Sequence, residues 1–160
     1  MPPTMHTGLR RLIYVFIKEL KVKDSEVFMI INCLSNDIQK SENEVVRANA
    51  LRVLTKIIDE QYVQSLEKYI KQALNDKSDH VVSAALVSMI ELYKRGGASA
   101  EIVKKSISEL QEKMFSNKDG FVQYQALLIL FELKKQDPMS CLQLLYKLAQ
   151  SKVQTSVTKC

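Results

Sequence analysis

One short pattern occurs three times in the chain, and it constrains the fold more than any other feature. A valine precedes an Ala-Leu pair by four residues at Val46, Val81 and Val122. A degenerate copy begins at Leu9, so that the four starts lie 37, 35 and 41 residues apart. Periods of roughly 35 to 45 residues are typical of helical-pair solenoids of the HEAT or armadillo type. The repeat therefore predicts an all-α protein in which equivalent helices occupy successive layers.

Apolar residues at helical spacing extend each copy into a helix and predict a second helix between successive copies. The helices that contain the repeated pattern, here called B helices, are predicted over 8–21, 44–59, 80–95 and 121–136. The intervening A helices are predicted over 25–39, 61–75, 99–115 and 138–150. Few helix breakers interrupt them, since the chain has only four Gly and three Pro. The predicted fold is a HEAT/armadillo-like α-solenoid of about four helical hairpins, in a single domain over 1–160.

Residues at the predicted helix ends fit this division. Helix-capping side chains precede three of the B helices and the last A helix: Asn43, Ser78 or Asp79, Asp119 and Asp137. The pair Gly96-Gly97 is predicted to end the third B helix. The last residues, 151–160, show weak periodicity and are predicted to fray.

Neither end of the predicted stack carries a polar capping repeat, which a free solenoid needs for solubility. Helix 8–21 has no A helix before it, yet it has an apolar stripe that includes Leu9, Leu12 and Phe16. The chain is therefore expected to be a segment of a longer solenoid, with apolar surface exposed on helix 8–21. The repeated Ala50, Ala85 and Ala126 are expected to let neighbouring helices approach closely.

The chain shows no constellation typical of catalysis, of a metal site or of cofactor binding. Its two histidines, His6 and His80, stand outside any HExxH context, and its three cysteines, Cys33, Cys141 and Cys160, form no CxxC pair. A glycine-rich phosphate-binding loop is also missing from the sequence. We therefore predict neither an enzyme nor a metal or cofactor site. The odd, unpaired cysteines favour a reducing, cytoplasmic compartment over a disulfide framework.

The formal net charge of +5 fits an acidic partner or an anionic membrane surface. It is too weak and too dispersed to indicate nucleic-acid binding, and no nucleic-acid partner is predicted. The positions that follow the three repeated valines also differ, as Arg47-Ala48, Val82-Ser83 and Gln123-Tyr124. A helical repeat that reads RNA bases would need one recurring base-reading position there.

Four stretches carry a more specific resemblance, and they follow one another in order through residues 9–136. They are "LRRLIYVFIKEL" at 9–20, "YIKQALNDK" at 69–77, "VVSAALVS" at 81–88 and "VQYQALLIL" at 122–130. In sequence and spacing the chain resembles the N-terminal trunk of the coatomer gamma subunit family, large chains of the COPI vesicle coat that are related to the adaptins.

The resemblance implies an interaction module of the COPI coat. It implies assembly with other coatomer subunits, the zeta and beta subunits, and recruitment to Golgi membranes by an Arf-family GTPase in its GTP form. It also implies a role in Golgi-to-ER and intra-Golgi vesicle transport, with a cytoplasmic location, peripheral on Golgi membranes and COPI vesicles. In the family, Arf binding involves the early trunk helices, and the matching positions here are Arg10, Arg11 and Lys18.

Other interpretations remain open at the level of sequence. A different HEAT scaffold, such as a nuclear transport receptor or a phosphatase scaffold, would share the helical period, and fold alone does not give function. Nuclear transport receptors of that type tend to be acidic, whereas this chain is basic. An RNA-binding helical repeat is the least favoured of these alternatives.

Overall fold

A computed structural model of the chain describes residues 6–19, 24–60 and 62–150. Within these ranges the regular structure consists of nine α-helices and one 3₁₀ turn, and no strand is present. The helices are α1 (Thr7–Glu19), α2 (Asp24–Lys40), α3 (Glu44–Ile57), α4 (Leu66–Leu74), α5 (Asp79–Arg95), α6 (Gly97–Lys105), α7 (Ile107–Ser116), α8 (Gly120–Lys134) and α9 (Pro138–Gln150). The 3₁₀ turn Val63–Ser65 leads into α4. The predicted all-α class is confirmed; the tail 151–160 lies outside the described residues.

The helices stack as successive hairpins. The B helices are α1, α3, α5 and α8, and each packs against the next one in that order. The A helices lie beside them: α2 packs on α3, α4 and α6 pack on α5, and α7 and α9 pack on α8. This solenoid-like arrangement confirms the predicted architecture.

The repeated pattern occupies the centre of the stack. Val46, Val81 and Val122 are at most 4% exposed, and the alanines four residues later are fully buried. An alanine at the helix contact lets two helix backbones come closer than a larger side chain would permit. The spacing that recurs in the three copies thus reflects equivalent contacts between B helices.

Two of the predicted helix caps form side-chain hydrogen bonds to free backbone N–H groups. The Asn43 side chain accepts from the Val45 and Val46 amides, and the Asp119 carboxylate accepts from the first amides of α8. Ser78 holds the cap position of α5 without such a bond, and its hydroxyl instead donates to the carboxylate of Glu44. A predicted cap thereby connects the loop before α5 to the first residue of α3.

The prediction of one continuous A helix over 99–115 was wrong, because the structure divides this segment into α6 and α7 at Ser106. The backbone N–H of Ser106 donates to Val103 O, three residues back, and its hydroxyl donates to Ile102 O. These contacts replace the regular i−4 ladder and turn the chain. The second A helix likewise begins later than predicted, since a 3₁₀ turn precedes α4.

Arginine side chains connect successive hairpins at two places. Arg47 at the start of α3 forms a two-pronged pair with Asp76, with both N–O distances 2.9 Å, and also donates to the Ser41 and Glu42 carbonyls. Arg95 at the end of α5 donates to the carbonyls of residues 55 and 58 at the end of α3. Both side chains satisfy backbone groups that helix ends leave without partners.

Candidate partner-docking surface

The first helix divides sharply into an attached face and an open face. Arg10, Tyr14 and Ile17 are buried against the rest of the stack. Four apolar side chains on the other side of α1 are at least half exposed: Leu9, Leu12, Val15 and Phe16. The prediction that this helix exposes apolar surface is confirmed. Exposed apolar residues grouped on one helix are typical of a surface that contacts another macromolecule.

The structure places the three predicted docking residues in different environments. Arg10 points into the protein, where its Nη1 donates to Asp37 Oδ1 at 2.7 Å, and the two side chains are 7% and 10% exposed. The Tyr14 hydroxyl donates to the other oxygen of the same carboxylate at 2.6 Å. Burial, together with the hydrogen bond to Asp37, raises the pKa of Tyr14 well above its usual range. Arg10 therefore attaches α1 to α2, and its guanidinium is turned away from a partner on the open face.

Arg11 and Lys18 differ from Arg10, because both are exposed on α1. Partial burial, and then the positive charge of Lys56, lowers the pKa of the Lys18 ammonium. Lys18 and Lys56 lie on neighbouring B helices, since α1 packs against α3. Of the three predicted residues, only Arg11 and Lys18 are accessible to a partner.

Lys18 belongs to a group of charges that sequence reasoning missed. The group consists of Lys18 on α1 and of Arg52 and Lys56 on α3, here called the B-helix cation cluster; Glu91 on α5 lies within its electrostatic reach. Burial lowers the pKa of the Arg52 guanidinium, and Glu91 acts in the opposite direction. The repeat register could have indicated this group, because Lys56 and Glu91 each lie ten residues after the repeat start of their own B helix.

A second exposed apolar surface lies at the other end of the described stack. On α9, four side chains are more than half exposed: Met139, Leu142, Leu145 and Tyr146. They line a shallow groove of about 620 Å³. The outer face of α8 adds Phe121 and Phe131, which are 60% and 45% exposed. Both ends of the described stack therefore present apolar helix faces.

A cavity of about 690 Å³ lies where α1, α2 and α3 meet, lined in part by Arg10, Cys33, Asp37 and Lys40. Among the described residues that line it there is no histidine that would activate the thiol of Cys33. Within the described ranges no group of three or more His, Cys, Asp or Glu side chains is arranged to hold a metal ion. None of the described helices has the length and apolar content of a membrane-spanning segment.

Comparison with known proteins gives the class to which this stack belongs. The sequence-family model of the adaptin N terminal region matches residues 4–157. The chain therefore belongs to this family of helical-repeat trunks. Within the family it is similar to coatomer gamma subunits. It is 38% identical to coatomer subunit gamma of Arabidopsis thaliana over 154 residues. This match covers 96% of the present chain and 17% of the Arabidopsis protein. The chain is 39% identical over 147 residues to the Dictyostelium discoideum subunit, a match that covers 92% of this chain and 16% of that protein. It is 36% identical over 152 residues to human coatomer subunit gamma-2, a match that covers 95% of this chain and 17% of that protein.

These relatives are far longer than the described stack. The chain spans about 17% of the length of the coatomer gamma subunits that it matches. The likeness nevertheless covers nearly all of this chain, in agreement with the resemblance inferred from the quoted stretches. It groups the chain with adaptin-type trunks rather than with the nuclear transport receptors or phosphatase scaffolds that share the helical period.

Proposed function

We propose that this chain is a trunk segment of a COPI vesicle coat and acts by binding other proteins, with no catalytic activity of its own. The observation that carries the proposal is the similarity to coatomer gamma subunits, which extends over 92 to 96% of the chain. The helical stack supports it physically. Successive hairpins provide a long surface to which several partners dock through modest contacts, and a coat gains strength from many such contacts.

The proposed partners are the zeta and beta subunits of coatomer and an Arf-family GTPase in its GTP form. Through the GTPase the segment would be held at the surface of Golgi membranes, on the cytoplasmic side. Its role there is in Golgi-to-ER and intra-Golgi vesicle transport. The basic sequence, with a net charge of +5, favours approach to an acidic protein or an anionic membrane surface.

We assign GTPase docking to the open face of α1. This face combines the exposed cations Arg11 and Lys18 with Leu12, Val15 and Phe16, each of which is at least half exposed. A GTPase switch region exposes apolar side chains in only one nucleotide state, and apolar anchors rimmed by charges are what binds such a patch. Arg10 contributes indirectly, since its pair with Asp37 holds α1 in place.

The direct test is a pull-down of the chain with Arf loaded with either a non-hydrolysable GTP analogue or GDP. We expect retention only with the GTP analogue. The double variant Arg11→Glu/Lys18→Glu should weaken this binding by about tenfold or more, because two attractive charges become repulsive. The matched control is Lys118→Glu, which changes an exposed lysine of the loop before α8 and should bind as the wild type does.

Equal binding to both nucleotide states would contradict the proposal, as would an unchanged affinity of the α1 double variant. A second assay separates the RNA-binding alternative. Retention of single-stranded RNA with a steep salt dependence, together with indifference to Arf, would favour that alternative over a coat function.

A further inference from the structure

Among the described residues two arginines are partly buried, Arg47 and Arg52, and Arg47 alone of the two has a carboxylate partner. Arg47 pairs with Asp76, and Arg95 donates to two helix-end carbonyls. Among the described residues, the one hydrogen bond that the Arg52 guanidinium donates is long, 3.3 Å, and its acceptor is the neutral side-chain amide oxygen of Asn49 on the same helix. When an arginine is partly buried and has no carboxylate partner, some of its guanidinium N–H groups lack an acceptor. A bound anion would supply that acceptor.

The two lysines near Arg52 reinforce this deficit of negative charge. None of the ion pairs within 4.0 Å among the described residues involves Lys18, Arg52 or Lys56. Glu91 on α5 is the one described carboxylate that acts on both Lys18 and Arg52, and it forms no ion pair with either within that distance. Glu19, which follows Lys18 in the chain, also acts on that lysine, so three cations and two carboxylates give this group a formal net charge of +1.

Apolar side chains flank the cation cluster in the same register. Val15, Arg52, Val87 and Leu128 each lie six residues after the repeat start of their own B helix, and therefore form a row across α1, α3, α5 and α8. Val15 is 55% exposed, Leu128 is 38% exposed and Val87 is partly exposed. A ligand bound along this row would contact the Arg52 guanidinium with apolar side chains on either side of it.

We propose that the B-helix cation cluster is a recognition site for an acidic protein segment whose carboxylates contact Arg52, Lys18 and Lys56. The same segment places apolar side chains on the row formed by Val15, Val87 and Leu128. Arg52 is the central residue, because its planar guanidinium binds a carboxylate with two parallel hydrogen bonds. This inference goes beyond GTPase docking at α1, since it identifies a site whose main residue lies on α3.

The surroundings favour a protein segment over a phosphorylated lipid. Clusters that recognise anionic lipid headgroups commonly contain four to eight Lys or Arg residues, whereas this cluster has three. The charge of Glu91 opposes a compact, multiply charged phosphate group more strongly than it opposes single carboxylates spaced along a peptide. The apolar flanks also suit a peptide, which carries charged and apolar side chains together.

The test measures binding of a short fluorescein-labelled peptide of Glu, Leu and Ser by fluorescence anisotropy, without any GTPase present. A matched peptide with Gln at every Glu position is the ligand control. We expect binding of the Glu peptide that weakens as salt is added, and at least tenfold weaker binding of the Gln peptide. Arg52→Gln should reduce affinity for the Glu peptide by about tenfold or more, because a charge-assisted hydrogen bond is lost.

Two further variants keep the result interpretable. Arg52→Lys retains the charge but loses the two-pronged geometry, and we expect an affinity between those of wild type and Arg52→Gln. Lys118→Gln removes an exposed lysine outside the cluster and should bind as the wild type does. Thermal unfolding of each variant confirms that the stack is intact.

Equal affinities of Arg52→Gln and Lys118→Gln would overturn the proposal. So would equal binding of the two peptides. Sedimentation with vesicles that contain a phosphorylated inositol lipid provides the remaining arm. If Arg52→Gln abolishes vesicle binding while the peptide does not bind at all, the site recognises a lipid and the proposal is wrong. Because Arf is absent from every arm, failure here is distinguishable from failure of GTPase docking.

Discussion

At the scale of single residues, polar side chains determine how the apolar helices are attached. The carboxylate of Asp37 accepts from both Arg10 and Tyr14, so that one buried aspartate on α2 fixes two turns of α1. A buried ion pair need not add net stability relative to apolar residues, but removal of one partner leaves the other charge without compensation. Such groups therefore specify the position of a helix even where apolar contacts supply most of the stabilising free energy.

We predict that Asp37→Ala lowers the free energy of unfolding by about 3–5 kcal/mol, because the Arg10 guanidinium loses its buried carboxylate and Tyr14 loses its acceptor. Denaturant titration followed by circular dichroism measures the change. Glu101→Ala is the control, since it breaks an exposed pair with Lys104 and should leave stability close to that of the wild type. A loss for Asp37→Ala no larger than for the control would show that the buried pair does not anchor α1.

A second prediction at this scale concerns pH. Burial by itself raises the pKa of the Asp76 carboxyl. The hydrogen bonds from Arg47 and from the Ser78 amide, together with the positive charge of Arg47, lower the pKa by more than burial raises it. The pKa of Asp76 therefore lies below its usual value. A lowered native pKa means that the unfolded state binds the proton more readily, so this stabilisation is complete above the ordinary aspartate pKa of about 3.9 and is lost as the pH falls below it.

Asp76→Asn should therefore be less stable than the wild type at neutral pH, and the difference should shrink as the pH falls below about 3.9. Urea unfolding at a series of pH values measures the two free energies. Asp59→Asn, at an exposed position, is the matched control. A difference that stays constant from neutral to acidic pH would mean that the pair with Arg47 contributes nothing through its charge.

At the scale of helices, the boundaries depend on local chemistry that is only partly readable in advance. The caps Asn43 and Asp119 follow from the preference of such side chains for free helix N–H groups. The division at Ser106 does not, because serine is tolerated within helices and its neighbours keep helical spacing. Contacts that α6 makes with α5 and α7 makes with α8 draw the two halves of this segment in different directions.

The corner between α5 and α6 gives a prediction at this scale. Gly96 has φ 81° and ψ −160°, a conformation accessible almost only to glycine. A Cβ added there would meet no atom within 4 Å, so the cost of Gly96→Ala is backbone strain alone. We expect a loss of about 1–3 kcal/mol in unfolding free energy.

Gly8→Ala is the control for this substitution. Gly8 lies inside α1, where φ is negative and an added Cβ comes no closer than 3.6 Å to His6 Nδ1. It should be neutral or slightly stabilising, since alanine favours helix. Equal effects of the two substitutions, measured by thermal unfolding, would argue that the corner is not fixed by Gly96.

At the scale of the whole molecule, stability depends on the close approach of the B helices. Ala85 on α5 is fully buried between neighbouring layers. Ala85→Leu would push those layers apart, and overpacking of this kind costs about 1–3 kcal/mol. Ala149→Leu on the exposed face of α9 is the control and should change the unfolding midpoint little. A wild-type midpoint for Ala85→Leu would show that the stack accommodates extra volume and that the repeated alanine is not required for packing.

The candidate docking surface was only partly predictable. Arg10, Arg11 and Lys18 are close in sequence, and no periodicity argument distinguished the side of α1 that faces α2. A helix turns by about 100° per residue, so adjacent arginines can point in very different directions. Arg52 was not singled out at all, because whether its side chain meets a carboxylate depends on which residues of other helices lie near it.

The sequence by itself determined the class of fold and the layering of this protein. The same spacing of apolar and small residues in each copy gives the same kind of helix contact in each hairpin. This spacing can be read within each copy of the repeat, without knowledge of the other copies. Only the tertiary structure decided which polar groups pair. Arg10 is buried and pairs with Asp37, 27 residues away, and the partly buried Arg47 pairs with Asp76, 29 residues away. Such pairings, and the absence of a carboxylate pair for Arg52 within the described part of the chain, depend on how helices rotate about their axes when they pack, and no single stretch of sequence encodes that rotation.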